Sequence, residues 1–438
     1  MNQFNKLLKL ILVTALLPPA IAYSVTLDEC ISIGISNNKG LHSSMLKYES
    51  AKSKVWELRS MLLPSIKTGI VYTRLSELPP AQINIPAPIN KIVTIAPSFE
   101  SNFNSYVSIQ QPIFTGFSLL GSIGSAKYTA DSMFQDYQKD KNELVYAIKS
   151  SYWNLYRSQE LSKLVKENIT QVETHLNDAQ NLFNKGLLMD NDLLKIKLQL
   201  SSVKLKQIEF NNSVQLAAIN MNNLLSRPID TAIEPATELK YSNDKIEPLS
   251  AYLEKAKAGR PELKSAQARI SAAKEGIAVS RSKHFPQMYL TGNYVNAKPN
   301  QRIFPAVDEY KDTWDIGVSL TLDIWSWGKI NSQVNQSKLQ AAQLQDAVRQ
   351  IEDNVVMEVA QNYFNVISGK EKIAIAEQNI SLAEDNFRIT KNKFNQGLSL
   401  NSELLDAEIS LLNAKTDYTQ ALVDYELAKA KLLKSTGE

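Results

Sequence analysis

The chain has 438 residues, with 48 Lys and Arg against 45 Asp and Glu; a net charge of only +3 gives no electrostatic ground for a nucleic-acid partner or acidic substrates. A single cysteine excludes an intramolecular disulfide, and His42, His175 and His284 are scattered without a second ligand at metal spacing, so no metal centre is expected. There is no phosphate-cradling loop, nucleophile elbow or Gly-rich dinucleotide turn, which points to a chain that is not an enzyme and takes no cofactor.

The N-terminus places Lys6 and Lys9 before the apolar run Leu10 to Leu17 and the small-x-small triplet Ala20-Ile21-Ala22. This predicts a signal peptide over 1–22, because the run is too short for the roughly 20 apolar residues of a membrane anchor. Cys30 follows Thr26-Leu27-Asp28-Glu29, unlike a lipoprotein cleavage box, and reads as a buried, inert thiol. A helical pattern runs from Thr26 to Leu63, interrupted near Asn37 to Gly40 and stopped by Pro64.

Beyond Pro64 the period becomes two. Ile66, Thr68, Ile70 and Tyr72 share one face; after a proline-rich stretch, Leu78 to Ser98, expected to be loop, Phe103, Ser105, Val107 and Ile109 alternate with Asn104, Tyr106 and Ser108. This strand pair, 65–110, has about ten residues per strand, enough to cross a bilayer at a tilt.

From Leu119 to Phe183 a proline-free stretch carries apolar and small residues at alternating fours and threes, among them Leu144, Ile148, Leu155, Val165, Val172 and Ala179. That is a coiled-coil seam on a helix about 100 Å long. Gly186 suits a left-handed cap, a return helix begins near Asp190 and ends before Arg227-Pro228, and 118–226 is therefore a helical hairpin. A polar connector follows over 227–248.

The order then repeats. A helix from Leu249 to His284, broken at Gly259-Arg260-Pro261, leads to a strand pair over 287–324 and a second helical hairpin over 329–434. Trp314, Ile316, Val318, Leu320, Leu322 and Ile324 make an apolar face with a polar reverse, and Trp314, Trp325 and Trp327 stand where an aromatic girdle belongs. Shifting the first seam by 211 residues lands on Val355, Val359, Val366, Ile373 and Ala376, and Phe183-Asn184-Lys185-Gly186 matches Phe394-Asn395-Gln396-Gly397. The chain is two copies of one elongated unit, 23–226 and 249–438. Alternation alone also fits a sheet packed on a soluble core. In lipid, four strands cannot close a barrel, so either several chains share one or the strands lie outside the membrane, and an open pore takes at least three protomers.

This pattern, with Gly186-Leu187-Leu188 and Gly397-Leu398-Ser399 at the helix tips, resembles the outer-membrane efflux protein family of TolC type. The resemblance implies an internally duplicated α+β fold whose four strands per chain contribute to a trimeric, twelve-stranded β-barrel in the outer membrane, continuous with a periplasmic α-helical, coiled-coil barrel. It implies a homotrimer in outer-membrane lipid, working with a periplasmic adaptor and an inner-membrane pump as an exit duct for drugs, toxins or secreted proteins. Efflux and type I secretion are not distinguished, and a non-pore periplasmic scaffold or adhesin is the competing class.

On the same resemblance Glu403 and Asp406 match the acids that ring the periplasmic constriction, Asp192 is the first-copy equivalent of Glu403, and Lys195 stands opposite Asp406. Asp190 and Asn401 are expected N-caps, so helix-start chemistry competes with a gate role for these side chains. The tyrosine and arginine that tie the helices shut in the best-known member fall at Phe394 and Ser399, which puts that lock in doubt. Gly186, Leu187, Leu188, Gly397, Leu398 and Ser399 are the adaptor-docking candidates, with capping alone as the alternative.

Overall fold

The computed structural model describes residues 23–438 apart from 78, 238, 240 and 242–244, so the expected signal peptide lies outside the described residues. A short strand β1 (Tyr23–Val25) precedes α1 (Leu27–Asn37). Thr26 opens that helix with a reciprocal cap: its hydroxyl accepts from the Glu29 N–H, and Glu29 accepts from the Thr26 N–H at 2.9 Å. The expected break falls at Asn38, which leaves the helical region at ψ 118° and whose Oδ1 accepts from Leu41 N–H at 2.9 Å as α2 (Lys39–Ser60) begins.

Strand β2 (Ser65–Arg74) follows, but the stretch expected to be loop contains a hairpin, β3 (Ala81–Ile85) and β4 (Lys91–Ala96). The prolines explain the correction. Pro86 and Pro88 sit in the turn and Pro79, Pro80 and Pro97 flank it, leaving two proline-free runs rich in Ile and Val. Then come β5 (Ser101–Thr115), α3 (Ser118–Asn184) and α4 (Asp190–Leu224). The connector holds β6 (Ile233–Pro235), which pairs in parallel with β1. The second half comprises α5 (Leu249–Gly259), α6 (Pro261–Arg281), β7 (Gln287–Lys298), β8 (Lys311–Thr321), α7 (Lys329–Asn395) and α8 (Asn401–Thr436).

The duplication shows in the lengths. Helices α3 and α7 have 67 residues each and start 211 residues apart, whereas α1 and α5, of 11 residues each, start 222 apart. The offset changes across the strand region, where the first half carries the additional hairpin.

In space the chain forms two units that cut across this repeat. One comprises the described residues up to Ser44 with Tyr137–Pro261 and Glu352–Glu438, and it is helical. Its core is the expected seam: Leu144, Ile148, Leu155, Val165, Val172 and Ala179 are buried, as are Val355, Val359, Val366 and Ile373. Tyr152 donates to the Val25 carbonyl at 3.0 Å and accepts from Thr237 N–H at 3.1 Å, fastening β1 and the connector to α3.

The other unit, Met45–Asp136 with Glu262–Ile351, contains an antiparallel sheet in the order β2-β5-β7-β8. Its helices meet through Ala266, Ile270 and Val348, and α3 is held to α6 by an Arg269–Asp136 pair at 2.6 Å. The apolar face expected to run to Ile324 is shorter, because β8 ends at Thr321 and Leu322 and Ile324 lie beyond it.

Candidate functional site

Register turns the alternation of the sheet into rows. Ile66, Ile109, Gly292 and Ile316 stand side by side on one face, and Thr68, Val107, Tyr294 and Trp314 make the next row. On the reverse, Lys67, Ser108, Asn293 and Asp315 are neighbours, and Ser108 donates to Asn293, which donates to Asp315, both at 2.8 Å. Ile66, Ile70, Trp314, Ile316 and Val318 are exposed, so the apolar face has no covering layer among the described residues. Strands β2 and β8 end the sheet, each with one edge unpaired among the described residues. An exposed apolar face with open edges is unstable in water and is satisfied in lipid by pairing those edges with further strands.

The helix tips are built by two equivalent turns. Gly186 and Gly397 adopt φ of +71° and +72°, and in each turn the following N–H reaches back five residues: Leu187 to Leu182 O at 2.9 Å, Leu398 to Lys393 O at 2.8 Å. This is the left-handed helix stop that glycine supplies. Of the docking candidates, Leu187 and Leu398 point outward, 71% and 72% exposed, and Leu188 packs instead on the cluster of Val172, Ala179, Leu193, Ile196 and Leu405. The outward set also includes Met189 and Leu400, which the sequence reading omitted.

The expected N-caps are corrected. The capping positions are Met189 and Leu400, whose side chains make no cap hydrogen bond, and Asp190 and Asn401 are the first helical residues. Asn401 is buried and donates across to the Asp192 carbonyl at 3.2 Å, so it joins the starts of α4 and α8 instead of capping its own helix. Asp192 pairs with Lys195 at 3.4 Å within α4, so Lys195 does engage an acid, on its own helix. Glu403 accepts from the Ser399 hydroxyl and from Leu400 N–H at 3.1 Å. The Asp406 carboxylate is exposed and has no partner among the described residues. Structure therefore separates the two acids of α8: Glu403 serves the helix start and Asp406 is free.

The Ser399 hydroxyl and the Leu400 N–H hold the Glu403 carboxyl below the usual glutamate range. A depressed folded pKa gives stability that is present above the ordinary value of about 4.3 and is lost as pH falls through the lowered one. Acid is accordingly expected to fray the first turn of α8, seen as faster amide exchange there, and Glu403→Gln to remove that pH dependence.

A further contact was not foreseen. His175 of α3 and Glu408 of α8 meet at 3.3 Å, Nδ1 to Oε2, with side chains only 4% and 2% exposed. The Phe394 ring of α7 stands edge-on to the imidazole at 5.3 Å, and His175 Nε2 is buried without a partner among the described residues. Three helices thus converge on one polar pair beside an apolar cluster. No spacing in the sequence signals it, since the residues lie 233 apart.

Above the tips, the large apolar residues that the helical unit leaves exposed lie mainly on two helices. Leu194, Leu198, Leu205, Ile208, Leu216 and Ile219 are exposed on α4, and Met357, Phe364, Ile375, Leu382 and Ile389 on α7; over its part in this unit α3 exposes none, and α8 none before Leu433. Leu198 and Leu205 stand 8 and 15 residues into α4, and Ile389 and Leu382 stand 6 and 13 residues from the end of α7. Leu198 and Leu205 on α4, and Ile375, Leu382 and Ile389 on α7, are spaced by seven, and both stripes begin at the same end of the unit, as two halves of one coiled-coil seam would.

The family described as outer membrane efflux protein matches residues 31–227 and 252–438. The chain is 22% identical over 340 residues to the outer membrane protein TolC of Escherichia coli strain K12, covering 75% of this chain and 65% of that protein's length. It is 21% identical over 301 residues to the outer membrane efflux protein BepC of Brucella suis, with 65% of this chain and 61% of BepC covered. Among solved structures, the CmeC outer membrane channel of Campylobacter jejuni superposes with a TM-score of 0.77 at 18% identity over 94% of this chain and 85% of CmeC. The MtrE outer membrane channel of Neisseria gonorrhoeae gives 0.77 at 18%, over 94% and 88%. The matched stretch thus falls just short of two thirds of the curated relatives' own length, and the structural likenesses carry the fold.

Proposed function

Because the chain belongs to the outer membrane efflux protein family, we propose that three copies enclose one passive export duct across the outer membrane and periplasm. The observation that carries this reading is the uncovered apolar face of a four-stranded sheet with two open edges. Cyclic symmetry pairs β8 of one copy with β2 of the next, which closes a barrel of twelve strands, puts the apolar rows in lipid and the Lys67 to Asp315 row in the lumen. A periplasmic scaffold or adhesin would need a layer over that face. Within the helical unit, threefold symmetry would bring the exposed stripe of α4 against that of α7 in the neighbouring copy, making a wall of helices.

Cargo delivery falls to partners. An adaptor meeting the outward Leu187, Met189, Leu398 and Leu400 would gain apolar burial that the free tips lack, and a pump in the inner membrane would choose between small molecules and a secreted protein. In this arrangement three copies of Asp406 stand around one axis, where like carboxylates attract cations. Asp406→Ala is expected to relieve block of single-channel current by divalent cations, and Glu403→Ala to relieve it less, because Glu403 is engaged at its own helix start. The duct itself is tested by fractionation and planar-bilayer recording. Detergent-dependent extraction with the outer membrane and unitary conductance are expected; a water-extractable protein without conductance refutes it.

A further inference from the structure

The connection between β7 and β8, residues 299–310, folds back onto the polar face of the sheet. Asn300, 2% exposed, donates through Nδ2 to the Lys311 carbonyl at 2.9 Å and to Thr313 Oγ1 at 3.2 Å. Its Oδ1 accepts from Arg302 N–H at 3.0 Å, and its carbonyl accepts from Ile303 N–H at 3.1 Å, which closes a tight turn. From that turn Arg302 reaches Asp315, Nη2 to Oδ1 at 2.7 Å. The same carboxylate accepts from Asn293, which accepts from Ser108, so the arginine is hooked to a hydrogen-bonded row crossing three strands.

Thr313 and Asp315 alternate with Trp314 and Ile316, so the turn lies on the polar side. The other half of the connection stays with the apolar side, where Lys298 meets Asp308 at 3.7 Å and Tyr310 stands edge-on to Phe103 at 5.4 Å. The connection therefore straddles the sheet at the end remote from the helices, with a guanidinium on the polar side.

We propose that this turn is a strap across the outer mouth of the duct, and that Arg302, anchored by Asp315, sets the mouth's conductance and charge preference. The proposal rests on the polar face being the lumen. Three straps related by symmetry bring three guanidinium groups inward at one level, each beside the carboxylate that positions it. This restricts the opening and offsets the attraction of the mouth for cations. A ring of paired guanidinium groups cancels the cation preference that the Asp315 carboxylates alone would give the mouth.

The test is single-channel recording of the full chain in planar bilayers, with trimer content checked on unheated gels. Arg302→Ala is expected to raise unitary conductance on the order of 1.5-fold or more and to shift the reversal potential in a salt gradient toward cation preference. Asp315→Asn frees the arginine without removing it, so conductance is expected to rise while the shift toward cations is absent. Asp308→Asn, on the apolar side, is expected to match the wild type. A conducting wild type whose conductance and reversal potential are unchanged by both Arg302→Ala and Asp315→Asn overturns the strap and leaves the duct standing. A wild type that never conducts overturns the duct and the strap with it.

Discussion

Replacing His175 by alanine is expected to cost the folded chain about 1–3 kcal/mol, because Glu408 then remains buried beside Phe394 and Leu404 without its partner. Attraction within such a pair barely repays the desolvation of its members, but removing one member leaves the full penalty of the other. The double variant His175→Leu with Glu408→Met should therefore recover most of that stability. It would not recover the polar tie that joins α3 to α8, the two helical hairpins of the chain. Under the duct reading that tie is expected to help hold the tip region closed. Denaturant unfolding of the solubilised protein reads the first effect; conductance reads the second, rising in both variants. An alanine variant as stable as the wild type would show that the pair is incidental.

Charging the exposed stripes should abolish assembly and leave the individual chain folded. Leu205 and Leu382 are 63% and 61% exposed, so Leu205→Glu or Leu382→Glu removes little packing within the chain. In the assembly each leucine is buried in every interface, at about 1.5–3 kcal/mol per side chain, and a buried unpaired carboxylate adds its own penalty. Helical content should persist by circular dichroism and the trimer should be lost. The positive counterpart is cysteine pairing: Leu198→Cys with Ile389→Cys, or Leu205→Cys with Leu382→Cys, should cross-link between copies. The native thiol does not interfere, because burial pushes Cys30 up to about 11. Links formed solely within one chain, or none, would contradict the seam.

Much of this was legible in the sequence for a physical reason: a long rod and a two-sided sheet impose periods that few other structures need. The seven-residue spacing through Leu144, Ile148 and Leu155 and the alternation through Trp314, Ile316 and Val318 each state which face is apolar, and the alternation alone does not tell lipid from a protein core. What remained hidden lies between distant segments. His175 and Glu408 are unremarkable on their own helices and acquire meaning only when three helices converge. Asn401 reads as a good cap by type, yet its amide N–H donates to the Asp192 carbonyl across the tip while its Oδ1 is buried without a partner among the described residues, and the cap position passes to Leu400. The β3–β4 hairpin was masked by counting prolines over the whole stretch when their placement, outside two short runs, is what matters.

The particle that detergent extracts decides whether one copy or several make the wall. Light scattering with the detergent contribution subtracted is expected to return a protein mass of three copies of the chain, unchanged on dilution. A monodisperse single copy under the same conditions would contradict a shared barrel, because four strands enclose nothing on their own.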